Sequence, residues 1–272
     1  MRKLSIYLAL VGACSVSASY ADDIISRLSV LDQGGFAVDG NLSAQKYTDS
    51  EIGRFSSSAS GTYKAFSSTA VVNANAGLGY GLEFFTSLPY QIRNHSQTNF
   101  NNGQSFTSNS TGFSDATFGL KYRVYKDADG ENEVLAIGSF LHHSGSSGNM
   151  LGELDYLHAF SAAIKVALTA RYTEVQGGSN STAFSTYLMW KTSPQITFVP
   201  FVSAGNYRAY NTYSGYNFYQ GGMELRYTPV KGWNITPKLM VGHYGERDTY
   251  FYANEHGAQS QVLASLIVQK EF

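Results

Sequence analysis

Charged residues in this chain recur at every second position of several short stretches, where they could pair across neighbouring β-strands. If adjacent stretches run antiparallel, acidic residues of one face basic residues of the next. The candidate residues on this face are Glu83, Arg93, Asp115, Lys121, Arg123, Glu133, Glu153, Arg171, Glu224 and Lys238. The predicted pairs are Glu83 and Glu133 with Arg123, Arg93 with Asp115, Glu153 with Arg171, and Glu224 with Lys238.

Other chemistry is poorly represented in the sequence. Asp127 to Glu133 looks like the start of a calcium loop, but the further ligand spacing and the terminal glutamate are missing, so a hairpin turn explains it better. No nucleotide cradle, metal cluster or complete catalytic triad is visible, and we expect no cofactor. A formal net charge of -1 gives no reason to expect nucleic acid as a partner.

The elements that position the charges are amphipathic strands with a period of two. About 12 are predicted, near 36–47, 67–78, 82–94, 112–124, 133–143, 151–160, 163–174, 182–192, 196–208, 216–228, 234–246 and 258–272. Short and long connections alternate, and an even number of strands leaves both termini on one side. Pro89, Pro200 and Pro237 each remove a ladder donor, so boundaries near them are the least secure.

The last strand ends the chain on Phe272, with Val262, Ala264, Leu266 and Val268 on the same parity. One apolar and one polar face fit a transmembrane antiparallel up-and-down β-barrel with lipid outside and a wet lumen. Bacterial outer-membrane barrels commonly end on such an aromatic residue, which their assembly machinery is thought to read. The alternative is the edge strand of a soluble β-sandwich.

The composition agrees with an all-β chain. After the first segment, no apolar run is long enough for a membrane helix, which excludes a helical membrane protein. Residues 1–21 read as a signal peptide, 22–35 as a periplasmic lead-in and 36–272 as the outer-membrane barrel. A lipoprotein-like box ending at Cys14 is the alternative for the first segment. With cleavage after Ala21, the mature chain has no cysteine.

The mixed charges bear on what the lumen could pass. A barrel of this strand number has a backbone radius of roughly 12 Å, which leaves room for nutrient-sized solutes. A like-signed lining would favour an ion-selective pore, whereas the mixed lining favours uncharged solutes or a partly blocked channel. The alternative is that the pairs only fill and stiffen a narrow barrel, since each contributes ~0.2–1 kcal/mol when solvated.

An aromatic group surrounds one predicted external loop. Its members are Tyr207, Tyr210, Tyr213, Tyr216 and Tyr219. Amphipathic rings are expected in the girdle at a membrane interface. A mouth that collects aromatic or sugar-like solutes is the alternative interpretation.

Two segments resemble a known family: LGYGLEFFTSLPYQIRN, Leu78 to Asn94, and GFSDATFGLKYRV, Gly112 to Val124. They are similar to the predicted outer-membrane transporter family named for the meta-cleavage pathway of phenol degradation. The matching residues are Leu88, Pro89, Tyr90, Asp115, Gly119, Lys121, Tyr122 and Arg123, while Ser114 stands where glycine is usual. The resemblance implies a barrel and suggests passage of hydrophobic or aromatic compounds.

A second resemblance suggests a different function. His142 and Ser144 resemble the His-x-Ser pair of outer-membrane lipid hydrolases, in which the histidine activates the serine. In one of these hydrolases, the outer-membrane phospholipase A, an asparagine follows the serine by twelve residues. That position is Tyr156 in this chain, which weakens the match.

The sequence therefore predicts a channel or transporter of the cell outer membrane for small, uncharged hydrophobic or aromatic solutes, and not an enzyme. Its expected partners are outer-membrane lipid, the barrel-assembly machinery and the solute. A lipid-modifying hydrolase and a non-conducting structural or interaction barrel are the alternatives.

Overall fold

The protein forms a closed antiparallel β-barrel that contains part of its own N-terminal segment. The computed structural model describes residues 23–52, 61–100, 103–141, 148–175, 179–209, 214–245 and 258–272. The elements are α1 (Ile24–Arg27), β1 (Phe36–Ile52), β2 (Gly61–Gly79), β3 (Leu82–Phe100), β4 (Ser105–Phe113), β5 (Thr117–Lys126), β6 (Asn132–Leu141), β7 (Asn149–Ala159), β8 (Ile164–Glu174), β9 (Ser181–Lys191), β10 (Ile196–Tyr207), β11 (Tyr216–Tyr227), β12 (Trp233–Tyr244) and β13 (Gln259–Glu271).

Apart from β4 and β5, consecutive strands pair with each other, and β1 closes the barrel by pairing with β13. The thirteen strand segments form a barrel of twelve strands. This is because β4 and β5 both pair with β3, one above the other, and so count as one interrupted strand. The predicted fold class is confirmed. The predicted strand 112–124 covers the end of β4 and most of β5, and it is wrong in being continuous, since residues 114–116 separate the two; β4 lies mostly in the predicted loop 95–111.

The alternation of the sequence fixes which side chains face outward. On β7, Glu153, Asp155 and Leu157 are buried, whereas Leu154 and Tyr156 are 53% and 42% exposed. The apolar parity therefore forms the outer surface of the barrel, and the polar parity faces the lumen. No helix in the described part of the chain is long and apolar enough to cross a membrane.

The three prolines lie within β3, β10 and β12, and two of them interrupt a ladder on one side. Pro200 pairs with Met223 of β11, but pairing with β9 lapses between Phe198 and Phe201. Around Pro237, pairing with β11 lapses while pairing with β13 continues. Each of these two strands tolerates the missing proline N–H because its other edge stays hydrogen-bonded to the neighbouring strand.

The N-terminal segment enters the barrel. Residues 22–35 were expected to be a periplasmic lead-in, but Ile24, Leu28 and Val30 are buried against lumen-facing side chains. Their lumen partners are Leu135, Leu157, Ala167, Tyr187, Met189, Val199, Phe201, Met240 and Leu263. The correction has a physical reason: apolar side chains with no lipid contact gain most by filling the lumen.

Local chemistry shapes this segment. Asp23 caps α1, because its carboxylate accepts hydrogen bonds from the backbone N–H of Ser26 at 2.9 Å and from its hydroxyl at 3.0 Å. A helix of four residues depends on packing for its stability. The chain returns to β1 along Gly77, which accepts from the N–H of Gly34 at 3.0 Å and donates to the carbonyl of Gly35 at 2.9 Å. A Cβ at Gly77 would collide with the carbonyl of Asp32.

Candidate functional site

The candidate site is the lumen together with the segment Asp23–Leu31, which we call the plug. Wall carboxylates hold the backbone of the plug at two places. The N–H of Ile24 donates to Glu224 at 2.8 Å, and the N–H of Leu31 donates to Glu83 at 2.7 Å. The wall thus satisfies plug N–H groups that would otherwise be buried without a partner.

A buried charge cluster joins the middle of the plug to β7 and β8. Arg27 forms an ion pair with Glu153, which also binds Arg171. Asp155 lies 3.9 Å from the Arg27 guanidinium, and the hydroxyl of Thr169 donates to Asp155 at 2.5 Å. These charges are almost fully buried, so separating one from its partners would be costly.

Further contacts fix both ends of the plug. Asp23 lies 3.6 Å from Arg226, and the Ser26 hydroxyl donates to Gln269 at 3.0 Å. The ammonium group of Lys121 donates to the carbonyl of Ser26 at 3.1 Å, and Arg123 donates to the carbonyl of Val30 at 3.4 Å. The polar face of the lumen therefore binds plug side chains and plug backbone alike.

The predicted charge pairs are found in part. Glu153 meets Arg171, and Glu224 lies 2.9 Å from Lys238. Arg123 lies 2.5 Å from Glu133. All of these residues are on the lumen side of the wall.

Glu83 has a different partner from the predicted one. It lies 2.7 Å from Lys121, its register partner on β5, rather than pairing with Arg123. Lys121 and Arg123 are two residues apart and so share a face. A period-two pattern identifies the face but cannot choose between such neighbours.

Arg93 does not line the lumen, which corrects the prediction. Near it, the pairing of β3 with both β2 and β4 is irregular, and this bulge reverses the parity of the residues beyond it. Arg93 is exposed and lies opposite the outward residue Ser68. Its predicted partner Asp115 is half-buried in the break between β4 and β5.

The end of the lumen away from the termini carries aromatic rings and amides. Tyr207 stacks on Tyr216 with ring centroids 4.7 Å apart, and Phe218 stacks on Tyr244 at 5.9 Å. Tyr219 is 58% exposed on the outer surface. Tyr210 and Tyr213 lie outside the described residues.

A hydrogen-bonded row joins the hydroxyl of Tyr244 to that of Tyr47. The hydroxyl of Tyr244 accepts from Gln220 at 2.7 Å and donates to Gln261 at 2.6 Å. Gln261 in turn donates to the hydroxyl of Tyr47 at 3.3 Å. The row is polar and uncharged, and it lines this end of the lumen.

A cavity of about 20 Å³ separates the plug from this end. Its lining includes Arg27, Tyr187, Phe201, Gln220 and Lys238. A volume of this size holds about one water molecule. The plug and the wall are therefore packed closely at this level.

Neither metal nor hydrolase chemistry gains support. Among the described residues, no group of three or more His, Cys, Asp or Glu side chains could hold a metal ion. His142 and Ser144 lie outside the described residues, so the hydrolase interpretation stays a sequence-based expectation.

The plug is the feature that sequence reasoning missed. The available signals were the capping residue Asp23 and the apolar residues Ile24 and Leu28, which are four apart and lie on one face of a helix. Such a short pattern predicts a helical turn without indicating where that turn packs.

Two solved structures have the same architecture. The translocator domain of the autotransporter NalP from Neisseria meningitidis matches with a TM-score of 0.59 at 12% identity, covering 98% of both chains. An outer membrane channel from Pseudomonas putida F1 matches with a TM-score of 0.57 at 10% identity, covering 90% of this chain and 97% of the channel. The fold is that of an outer-membrane barrel.

No protein-family model matches the sequence, and no curated protein does. The likeness to the family named for phenol degradation therefore remains a resemblance of about fifty residues. At such low identities, the two structural matches establish the fold alone.

Proposed function

We propose that this protein is an outer-membrane channel for small uncharged solutes and that the plug closes it. The observation that carries the proposal is that the plug is separate from the wall. It fills the lumen through side-chain and backbone contacts, while the strand ladder closes without it.

The wall supports the uncharged character of the solute. With the plug displaced, Glu83 keeps Lys121, Glu224 keeps Lys238, and Glu153 keeps Arg171. Paired charges leave little net field in the lumen, so selection between anions and cations is weak.

The aromatic end of the lumen supports the choice of solute. The stacked rings of Tyr207 and Tyr216 and the amides of Gln220 and Gln261 offer flat apolar faces beside hydrogen-bonding groups. Planar, partly apolar molecules fit such a lining. The family resemblance points to the same class of hydrophobic or aromatic compounds.

The test is planar-bilayer recording on the purified, refolded protein, its variant lacking residues 23–31, and Arg27→Ala. We expect low conductance in the wild type, at least a tenfold increase in the deletion variant, and frequent openings in Arg27→Ala. Arg27→Ala leaves Glu153 paired with Arg171. Lys165→Ala, on an exposed residue at the periplasmic end of β8, is the matched control and should behave as wild type.

The plug also supports the alternative of a non-conducting structural barrel. The same recordings separate the two functions. Folded deletion and Arg27→Ala variants that stay as silent as the wild type would establish the structural barrel.

The solute class has its own test. Uptake of a small aromatic solute into vesicles containing the deletion variant should slow when Tyr207 and Tyr216 are both changed to Ala. Tyr219→Ala changes an outward ring on the same sheet and serves as the control. Equal uptake by all three proteins would remove the aromatic preference while leaving the channel intact.

A further inference from the structure

Three basic residues face outward on adjacent strands at one end of the barrel. Lys46 on β1, Lys64 on β2 and Arg93 on β3 are all exposed. We call them the basic patch. The strand register places Lys46 opposite Phe66, Lys64 opposite Thr48, and Arg93 opposite Ser68. With strands ~4.8 Å apart and ~3.4 Å of rise per residue, their Cα atoms are roughly 8, 12 and 14 Å apart.

The basic patch lies where the apolar outer surface ends. Nearer the termini, the same strands present Leu42, Val72 and Leu88 outward, which are 55%, 54% and 50% exposed. Level with Lys46, neighbouring strands still present Phe66, Val262 and Val241, whereas level with Lys64 they present Ser260 and His243. The change from apolar to polar residues marks the membrane interface, where outward Lys and Arg side chains cost least.

This interface belongs to the external side. The start of β1, the end of β13 and the tight Gly79–Leu82 turn lie at the opposite end, and outer-membrane barrels have their short turns in the periplasm. The external leaflet of an outer membrane consists of lipopolysaccharide, whose lipid A carries phosphate groups at this depth.

Among the side chains that the structure describes, none of the acidic residues neutralises the basic patch. No ion pair joins any of its three residues to a carboxylate among the described residues. The ring of His95, level with Lys46, lies 2.8 Å from the side-chain oxygen of Asn109. The described side chains of this sector of the external rim therefore carry positive charge that no described carboxylate balances.

We propose that Lys46, Lys64 and Arg93 bind the lipid A phosphates of lipopolysaccharide. The guanidinium of Arg93 can grip one phosphate through two parallel hydrogen bonds, and the two ammonium groups act as point charges. Their spacing lets one lipid A molecule span the patch while its acyl chains lie on the apolar strands. The site requires the barrel to sit in the outer membrane but does not depend on conductance.

The test is native mass spectrometry of the detergent-solubilised full chain with added lipid A. The patch variant carries Lys46→Gln, Lys64→Gln and Arg93→Gln. The control carries Lys126→Gln, Lys165→Gln and Lys191→Gln, which removes the same charge from exposed residues at the periplasmic end. Heat-modifiable gel mobility checks that both are folded.

Diphosphorylated lipid A should bind the patch variant on the order of 100-fold more weakly than the wild type, because each basic residue contributes several-fold near an anionic surface. The control should bind as the wild type does, and lipid A lacking both phosphates should bind all three proteins equally weakly. Equal retention by wild type and patch variant, or equal loss in both triple variants, would overturn the proposal. Equally tight binding of phosphatidylglycerol would also overturn it, by showing a general anion surface.

Discussion

The two ends of the lumen are held together by different chemistry. The periplasmic half contains the plug and buries ion pairs, such as Arg27 with Glu153 and Lys121 with Glu83. The external half is lined by stacked rings and by amides that bond to tyrosine hydroxyls, such as Tyr244 with Gln261. The half that holds the plug carries these ion pairs, and the half proposed to meet solutes carries none of them.

In the proposed channel, the charged half closes the lumen and the aromatic half lines the path of the solute. Charges that are buried and paired tolerate few alternative arrangements, because each unpaired ion would be costly. They can therefore hold the plug in one position. Rings and amides accept solutes of varied shape, since stacking is permissive and amides can donate or accept.

The strongest test of the comparison is Glu153→Gln. It removes the carboxylate shared by Arg27 and Arg171 and leaves two guanidinium groups buried. We expect the free energy of unfolding to fall by about 3–5 kcal/mol, measured by urea titration in lipid vesicles. Glu174→Gln, at an exposed position on β8, should change it by less than about 0.5 kcal/mol. If both variants changed the free energy of unfolding by similarly small amounts, the periplasmic half would not depend on its buried charges for stability.

The comparison also requires that lipid surround the wall. Leu168 is 49% exposed in the middle of β8. Leu168→Arg should lower the unfolding free energy by about 2–4 kcal/mol in vesicles, because it places a charge near the bilayer midplane. Thr62→Arg, at the exposed external end of β2, should cost about 0–1 kcal/mol. Equal costs would contradict the depth assigned to the two residues.

In the external half, Tyr244→Phe removes the hydroxyl that bridges Gln220 and Gln261. The expected loss is about 1–2 kcal/mol, since the half-buried Gln220 and the buried Gln261 each lose a hydrogen bond. Tyr219→Phe, on the outer surface of the neighbouring strand, should have almost no effect in the same titration. If Tyr244→Phe lowered the free energy of unfolding as much as Glu153→Gln, the two halves of the lumen would depend equally on their polar contacts, which would contradict the comparison.

The smallest effect is expected at the periplasmic rim. Asn132 donates to Asp127 from its side chain at 2.7 Å and from its backbone at 3.0 Å, which holds the pKa of Asp127 below its usual range. A lowered pKa in the folded state means that the stabilisation is present near neutral pH and is lost as the pH falls through that folded-state value.

The stability difference between wild type and Asp127→Asn should therefore shrink below about pH 4. Urea midpoints across pH 7 to pH 3 measure it. Asn132→Ala removes the side-chain donor and keeps the backbone donor, so it should reproduce part of the loss seen in Asp127→Asn at neutral pH. A difference that is constant across this range would contradict the hydrogen-bond explanation.

The sequence predicted the strands well because their signal is local. A period of two marks each strand, and the terminal pattern ending at Phe272 marks the membrane face. The pairs Glu153 with Arg171 and Glu224 with Lys238 also followed, since short turns fix the register of consecutive strands.

The sequence could not predict features that depend on non-local geometry. The bulge in β3 reversed the parity of Arg93. Glu83 could pair with either Lys121 or Arg123, which lie on the same face, and it pairs with Lys121. The plug has too few residues for a periodic signal, and its position depends on side chains from most of the barrel wall. Register, bulges and enclosed segments are set by packing, which a pattern along one strand does not contain.

The short tether between plug and wall determines how the lumen would close again. Residues 32–35 join the plug to β1 and are held by hydrogen bonds to Gly77. A released plug therefore remains an intramolecular ligand, and a short tether corresponds to an effective concentration on the order of millimolar. A free peptide with the sequence of the plug would need a similar concentration to occupy the lumen of a barrel that lacks it. Closure thus becomes a property of each single molecule, independent of how many barrels share the membrane.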